Sequence, residues 1–439
     1  MKKYLNIAFI LSMVILLFTG CGISTVGDLY SPPKRSDEYT NMQTLIQQTM
    51  SDAEFSAPVS GDNQQSVQAV DLDGDGEDEY LLFVRDSSEK PLKIYVFSGD
   101  GKNYSLLDRI ESAGSTHDRV EYIQMDDKPG LEIVVGRRVS DQVVRSVSVY
   151  SLENGQMEQI MSTNYTEFLC CDLDGNGRSE LMVFRPGETQ HGIAVRYFVE
   201  GGIVERSHEV SMSEQAENIK RIMFGYLQDG KRAVYIASRV TGSDLIVTDV
   251  FTVKAAQLTN VSFSSETGTS VQTLRNYYVY ADDVDDDNVL ELPSLITMPS
   301  TGVDTPLTNQ HIIRWYAMNS DGSVVDKKYT YHNFVGGWYL ELEEALAERI
   351  TVEQRGSSYV FLLWNEDKTQ TQPLLTIYVL TGQKREEQAI KDNRFILLRG
   401  ESTIYSAVLD VSSADYNLTQ ESLIAGFHLI LQDWKTGET

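Results

Sequence analysis

Cysteine is nearly absent: the 439 residues include three. Cys21 lies in the N-terminal leader, and Cys170 and Cys171 are neighbours. Adjacent residues on a strand face opposite ways, which argues against a disulfide between them, and no third partner exists outside the leader. The pair sits on an apolar run and reads as small buried hydrophobes. Histidine is sparse too. His117, His191, His208, His311, His332 and His428 are scattered and show no metal-ligand spacing. The Gly-x-Ser-x-Gly elbow, the phosphate-cradling Gly-Lys-Ser/Thr loop and His-Glu-x-x-His are all missing. Positive charge is also scarce: 37 Lys and Arg against 64 Asp and Glu leave a net charge of −27. That balance excludes the basic footprint nucleic acid requires.

The acids that are present are patterned. With Asp71 as position 1, Asp71, Asp73, Asp75 and Glu79 fall at positions 1, 3, 5 and 9, just before the apolar run Tyr80 to Val84. The frame returns as Asp172, Asp174, Asn176 and Glu180, and again as Asp283, Asp285, Asp287 and Glu291. Calcium takes six to eight oxygens from carboxylates, amides and carbonyls. Alternate residues of a tight loop can turn such oxygens onto one centre. Gly74 with Gly76, and Gly175 with Gly177, permit the positive φ this needs, and Asn288 is the next best residue in the third copy. Position 7, occupied by Glu77, Arg178 and Val289, is expected to contribute its carbonyl. About three structural Ca²⁺ sites are therefore expected. An EF-hand is excluded, because position 12 holds Leu82, Val183 and Ser294 in place of the bidentate Glu. The three loops hold 15 of the 64 carboxylates, so bound calcium would neutralise part of the acidity.

This arrangement resembles the calcium loops of FG-GAP or VCBS repeats, the units of integrin-type β-propellers and of many bacterial surface proteins. The Phe-Gly-Gly-Ala-Pro element is absent, so the likeness is to the VCBS style, over residues 60 to 333. The resemblance implies a calcium-stabilised propeller and says little about its ligand.

A period of about 50 residues supports the same architecture. Degenerate copies start at 124 and 225, between the intact ones. Hairpin dipeptides Asp100-Gly101, Asn154-Gly155 and Gly201-Gly202 follow their frames by 29 or 30 residues, and Asp321-Gly322 comes later in the fifth copy. The expected fold is mainly β: a propeller of about five four-stranded blades, with room for a sixth, followed by a small α+β domain over 334 to 439. That domain is expected to end in a helix capped by Asn417 or Thr419 and carrying Leu423, Ile424, Phe427, Ile430, Leu431 and Trp434 on one face.

The N-terminus reads as an export signal over residues 1 to 21: Lys2-Lys3, an apolar stretch to Phe18, then small residues before a cysteine. Phe18-Thr19-Gly20-Cys21 resembles a bacterial lipobox, which implies lipidation of Cys21 and anchoring on the outer face of the cytoplasmic membrane, or on an outer membrane if there is one. Residues 22 to 59 form a tether and a short amphipathic helix with Met42, Leu45, Ile46 and Met50 at helical spacing.

Arg85, Arg137, Arg185 and Arg239 recur five or six residues after position 9, and so fall on the opposite rim, where they form a candidate anionic-ligand site. The leading functional expectation is a noncatalytic surface lipoprotein, not an enzyme, whose propeller binds a protein or glycan of the envelope. The alternatives are an assembly or sensory subunit docking through the C-terminal domain, and a polysaccharide-active enzyme.

Overall fold

The computed structural model describes residues 37–50, 53–99, 103–139, 145–188, 191–276, 279–300, 311–410, 416 and 418–430. The leader, Cys21 and the Asp100-Gly101 turn lie outside them. The chain is mainly β and forms six antiparallel sheets that follow one another in sequence. In the second, Thr116–Ile123, Glu132–Arg138, Arg145–Glu153 and Gln156–Tyr165 pair in chain order, and the fourth repeats this with Ile219–Tyr226, Arg232–Arg239, Ile246–Lys254 and Gln257–Asn260. The first two acidic loops join the strand before position 1 to the strand that begins at position 9, and the third runs from an isolated bridge between Asp282 and Glu291 into the strand Leu292–Thr297.

Strands leaving the loops are buried on both faces, as their continuous apolar runs require. Leu81, Leu82, Phe83 and Val84 are all at most 1% exposed. Each sheet packs face to face on the next. Leu81 and Phe83 meet Val120, Ile133 and Val135, and further along Met182 and Phe184 meet Val234, Ile236 and Phe251. The outer face of the first sheet is covered by the helix Asp37–Thr49, whose Met42 packs with Leu82, Val84 and Phe97. Asn41 Oδ1 accepts the Tyr104 N–H at 2.7 Å and fixes the helix there. Cys170 and Cys171 are free thiols on the strand Glu167–Cys171, and burial pushes the Cys171 thiol up to about 12.

Backbone bonds lace neighbouring sheets along the loop edge. Leu131 N donates to Leu72 O, Ser179 N to Gln124 O at 2.7 Å, and Tyr226 N to Asn288 O. A Cβ on Gly130 would overlap the Leu72 carbonyl, so the first lace needs glycine.

The last hundred residues depart from expectation. Trp338–Leu342 joins the fifth sheet, and 350–409 supply a sixth. One core containing Tyr331, Trp338, Phe361, Tyr405 and Phe427 spans both, so the packing does not divide at residue 333. Without an aspartate loop or a regular turn marker, this sheet reads in the sequence as the β part of a separate α+β domain, and its packing on the fifth sheet is not encoded there. The long terminal helix is also corrected. The helix is Gln420–Ala425, with Thr419 and Ser422 forming a capping box, and Gly426 ends it. Phe427–Leu429 is a strand on Trp338–Leu342 because that edge offers unpaired backbone groups, and Phe427 stacks on Trp338 at 5.4 Å. Leu431 and Trp434 lie outside the described residues.

Asn154 (φ 51°) and Gly155 (φ 77°) form the expected left-handed hairpin turn, as do Gly201 and Gly202. In the fourth sheet the same place is taken by Ala255 (φ 49°) and Ala256 (φ 64°), residues that pay a steric penalty there. Replacing them as Ala255→Asn with Ala256→Gly is expected to stabilise the protein by about 1 kcal/mol, read as a higher urea midpoint with unchanged slope.

His117 is 1% exposed, its Nδ1 lies 2.8 Å from the Ser56 carbonyl, and its ring meets Phe83 edge-on at 5.3 Å. Burial brings its pKa down to about 4, partly opposed by the Ser56 carbonyl. The folded ring is neutral while the unfolded one charges near 6.5, so its share of stability is complete above about 6.5 and is lost as pH falls toward 4. Against His117→Gln, the wild type should lose about 2–3 kcal/mol more between pH 7 and pH 4 in urea titrations.

Candidate metal centres

The three intact frames fold alike. Asp71 accepts the Gly74 N–H on Oδ1 at 2.7 Å and the Gly76 N–H on Oδ2 at 3.0 Å, and Asp172 holds Gly175 and Gly177 in the same way. Position 5 caps position 7: Asp75, Asn176 and Asp287 each accept the N–H of Glu77, Arg178 and Val289 at 2.8 Å. Gly74, Gly76, Gly175 and Gly177 have φ between 76° and 92°, and Asp286 (φ 61°) and Asn288 (φ 66°) take their place in the third loop.

Position 9 is the buried anchor. Glu79 Oε2 accepts the Leu72 N–H at 2.9 Å, Glu180 that of Leu173 at 2.5 Å, and Glu291 that of Val284 at 3.0 Å. Ligand atoms of positions 1, 3 and 9 converge within 4.8 Å of one another in all three copies: Asp71, Asp73, Glu79; Asp172, Asp174, Glu180; Asp283, Asp285, Glu291. Each triad could hold a metal ion. The carboxylates of Asp75 and Asp287 are not part of these triads, being turned to the loop backbone. Burial raises Glu79, and pushes Glu180 and Glu291 up to about 7. Glu291 is 0% exposed and its Oε1 has no hydrogen-bond partner among the described residues. An oxygen so placed, with two aspartates beside it, fits a cation.

In the degenerate second copy Glu132 still accepts the Met125 N–H at 2.8 Å. Position 1 is now Gln124, whose Nε2 donates to the carbonyls of Asp126 (2.9 Å) and Lys128 (2.6 Å). An amide donor here occupies the place of an acidic ligand.

The sequence reading missed the cations around these loops. Arg196, Arg232 and Lys327 each reach a triad or its position-5 neighbour. Arg196 alone left a trace, as an arginine inside the apolar run Ile193 to Val199. The four rim arginines stand at the far ends of the strands that leave the loops. Arg85 Nε meets Glu54 at 3.0 Å, Arg185 meets Glu209 at 2.7 Å and Arg239 pairs with Asp244, so three already hold a carboxylate of this chain. Arg137 Nε is buried without a hydrogen-bond partner among the described residues.

No known family matches this chain, and no curated protein matches it. Solved structures do. A rhamnogalacturonan lyase PL11 of Bacillus licheniformis is 12% identical, with TM-score 0.27 over 73% of this chain and 72% of that one. The exotype rhamnogalacturonan lyase YesX is 13% identical (TM-score 0.29, 74% and 72%), and rhamnogalacturonan lyase YesW 12% (0.29, 73% and 72%). The expectation of a noncatalytic binding protein stands against this finding, since the proteins matched are named as lyases, but at these TM-scores neither their activity nor any of their residues is carried over to this chain.

Glu291→Gln should separate the two demands on the third triad. In chelator it is expected to stabilise the protein by about 1–2 kcal/mol, because it removes a buried unpaired acceptor. With a divalent cation it should gain less in melting temperature than the wild type does, as followed by calorimetry.

Proposed function

We propose that this chain is a calcium-loaded β-propeller, exported and lipid-anchored through Cys21, that cleaves a polysaccharide at the cell envelope. Six sequential sheets stacked face to face and laced along one edge support the propeller. All-oxygen triads support calcium over softer metals. The lipobox-like Phe18 to Cys21 supports export, and no described helix is long and apolar enough to cross a membrane.

A groove beside the third loop carries the enzymatic reading. It encloses about 490 Å³ and is walled by Asp326, Lys327, Lys328, Tyr329, Glu341 and Glu344. Lys327 Nζ lies 2.9 Å from Asp287 Oδ2 and Lys328 Nζ donates to the Val284 carbonyl at 2.8 Å, so this wall and the third loop share two side chains. Calcium in that loop would fix the wall and supply positive charge next to it.

Breaking a glycosidic bond needs a proton donor and a base flanking it, and carboxyl groups commonly serve. Glu344 is exposed in the groove, and its Oε1 lies 3.5 Å from the Tyr329 hydroxyl, which donates to Asp326 Oδ2 at 2.9 Å. Burial and the Asp326 carboxylate hold that phenol up at about 12, so it stays a donor. Glu341 faces Lys328 at 2.9 Å. Glu344 and Glu341 are assigned the proton transfers, Tyr329 and Asp326 the positioning of Glu344, and the two lysines the binding of anionic sugar groups.

The whole chain in calcium, tested on uronate-containing and neutral polysaccharides, should release reducing ends or unsaturated sugars. Glu344→Gln or Glu341→Gln should lower the rate at least 100-fold (about 2.7 kcal/mol) with the melting temperature unchanged. Full activity in both variants, or no cleavage of any polysaccharide by the wild type, would overturn the assignment.

A further inference from the structure

The three loops share donor spacing but differ in what faces them. Around the first, no lysine or arginine is ion-paired with Asp71, Asp73, Asp75 or Glu79 among the described residues. The second is crowded. Arg196, on Gly192–Glu200 and 3% exposed, places Nη2 at 2.5 Å from Asp174 Oδ2 and 2.9 Å from Glu180 Oε1, with its guanidinium 4.4 Å from the Phe198 ring centre. Arg232, from the neighbouring sheet, donates to the Asp172 carbonyl at 2.8 Å and pairs with its carboxylate. Every carboxylate of that triad faces a guanidinium. The third is intermediate: Lys327 contacts Asp287 at 2.9 Å and Asp285 at 3.8 Å, and among the described residues no lysine or arginine is ion-paired with Glu291.

We infer that Arg196 and Arg232 are built-in counter-cations of the loop at 172–180, so that this loop closes without calcium and binds it most weakly, while the first and third loops depend on the ion. This rests on the calcium reading above and grades its three sites. The physical ground is competition for the same lone pairs. Calcium needs the Asp174 and Glu180 oxygens that Arg196 faces, and the guanidinium is itself buried and packed on the Phe198 ring. A cation left beside the bound ion would repel it, and a displaced one would lose its partners. The same chain has taken this course further at the second copy, where Gln124 donates to the loop carbonyls. Between that copy and the open first loop, 172–180 keeps its ligands but supplies its own charge.

Calcium titration calorimetry on the whole chain tests the grading. The wild type should show two tight equivalents and a third that is at least tenfold weaker, a difference of about 1.4 kcal/mol. Arg196→Met should tighten the third at least tenfold, leave the other two unchanged, and enlarge the rise in melting temperature on adding calcium. Should Arg196→Met fail to fold in chelator, two milder variants decide the matter. Asp174→Asn should remove only the weak equivalent, and Asp73→Asn a tight one. Three equal sites in the wild type, an unaltered third site in Arg196→Met, or loss of a tight equivalent in Asp174→Asn would overturn the inference while leaving the calcium reading intact. No calcium bound at any loop would overturn both.

Discussion

Four buried glutamates hold the loop edge together. Glu79, Glu132, Glu180 and Glu291 are at most 5% exposed, and each takes the backbone N–H of position 2 across its loop. That bond fixes where the loop ends and the strand begins. It also brings a carboxylate into a place water cannot reach, where a charge must be matched or neutralised. The raised pKa of Glu180 and Glu291 is the same demand expressed as proton affinity. The surroundings of that carboxylate differ from sheet to sheet: aspartates beside Glu79 and Glu291, a guanidinium beside Glu180, and the Ser151 hydroxyl on Glu132.

Because neighbouring loops along this edge are bonded to each other, their state bears on the interfaces of the first sheet with the second, the second with the third and the fourth with the fifth. The apolar faces behind them supply most of the burial energy, but the loop laces from Leu72 to Leu131 and from Tyr226 to Asn288 set how the sheets are aligned. The groove at Tyr329 and Glu344 lies where this edge meets the last helix. Lys327 and Lys328 belong to both, which couples the groove wall to the third loop through two side chains rather than through the backbone.

Much of the first five sheets was legible. Runs such as Tyr80 to Val84 and Leu181 to Phe184 could only be strands buried on both faces, and the spacing from loop to turn fixed the register. The turn at Ala255-Ala256 keeps the same spacing but was not read, because its composition gives no turn signal. The last sheet was legible only as the β part of a small α+β domain, because without a repeated marker nothing in the sequence ties its strands to the fifth sheet, and Phe427 to Leu429 looked helical because apolar spacing over a few residues does not distinguish a helix end from a short strand. At the metal loops the triads were legible from side-chain chemistry. Position 5 was not: whether Asp75 turns to the centre or to the Glu77 N–H is settled by a single rotamer.

The sequence by itself determined the acidic frames, the order of strands around them and the oxygen-only chemistry they offer, since all of these follow from residue type and local spacing. Only the tertiary structure decided which loops stand open to a cation. Arg196 reaches Asp174 from 22 residues away and Arg232 reaches Asp172 from 60. Such pairings depend on how sheets face one another, and no local pattern encodes them.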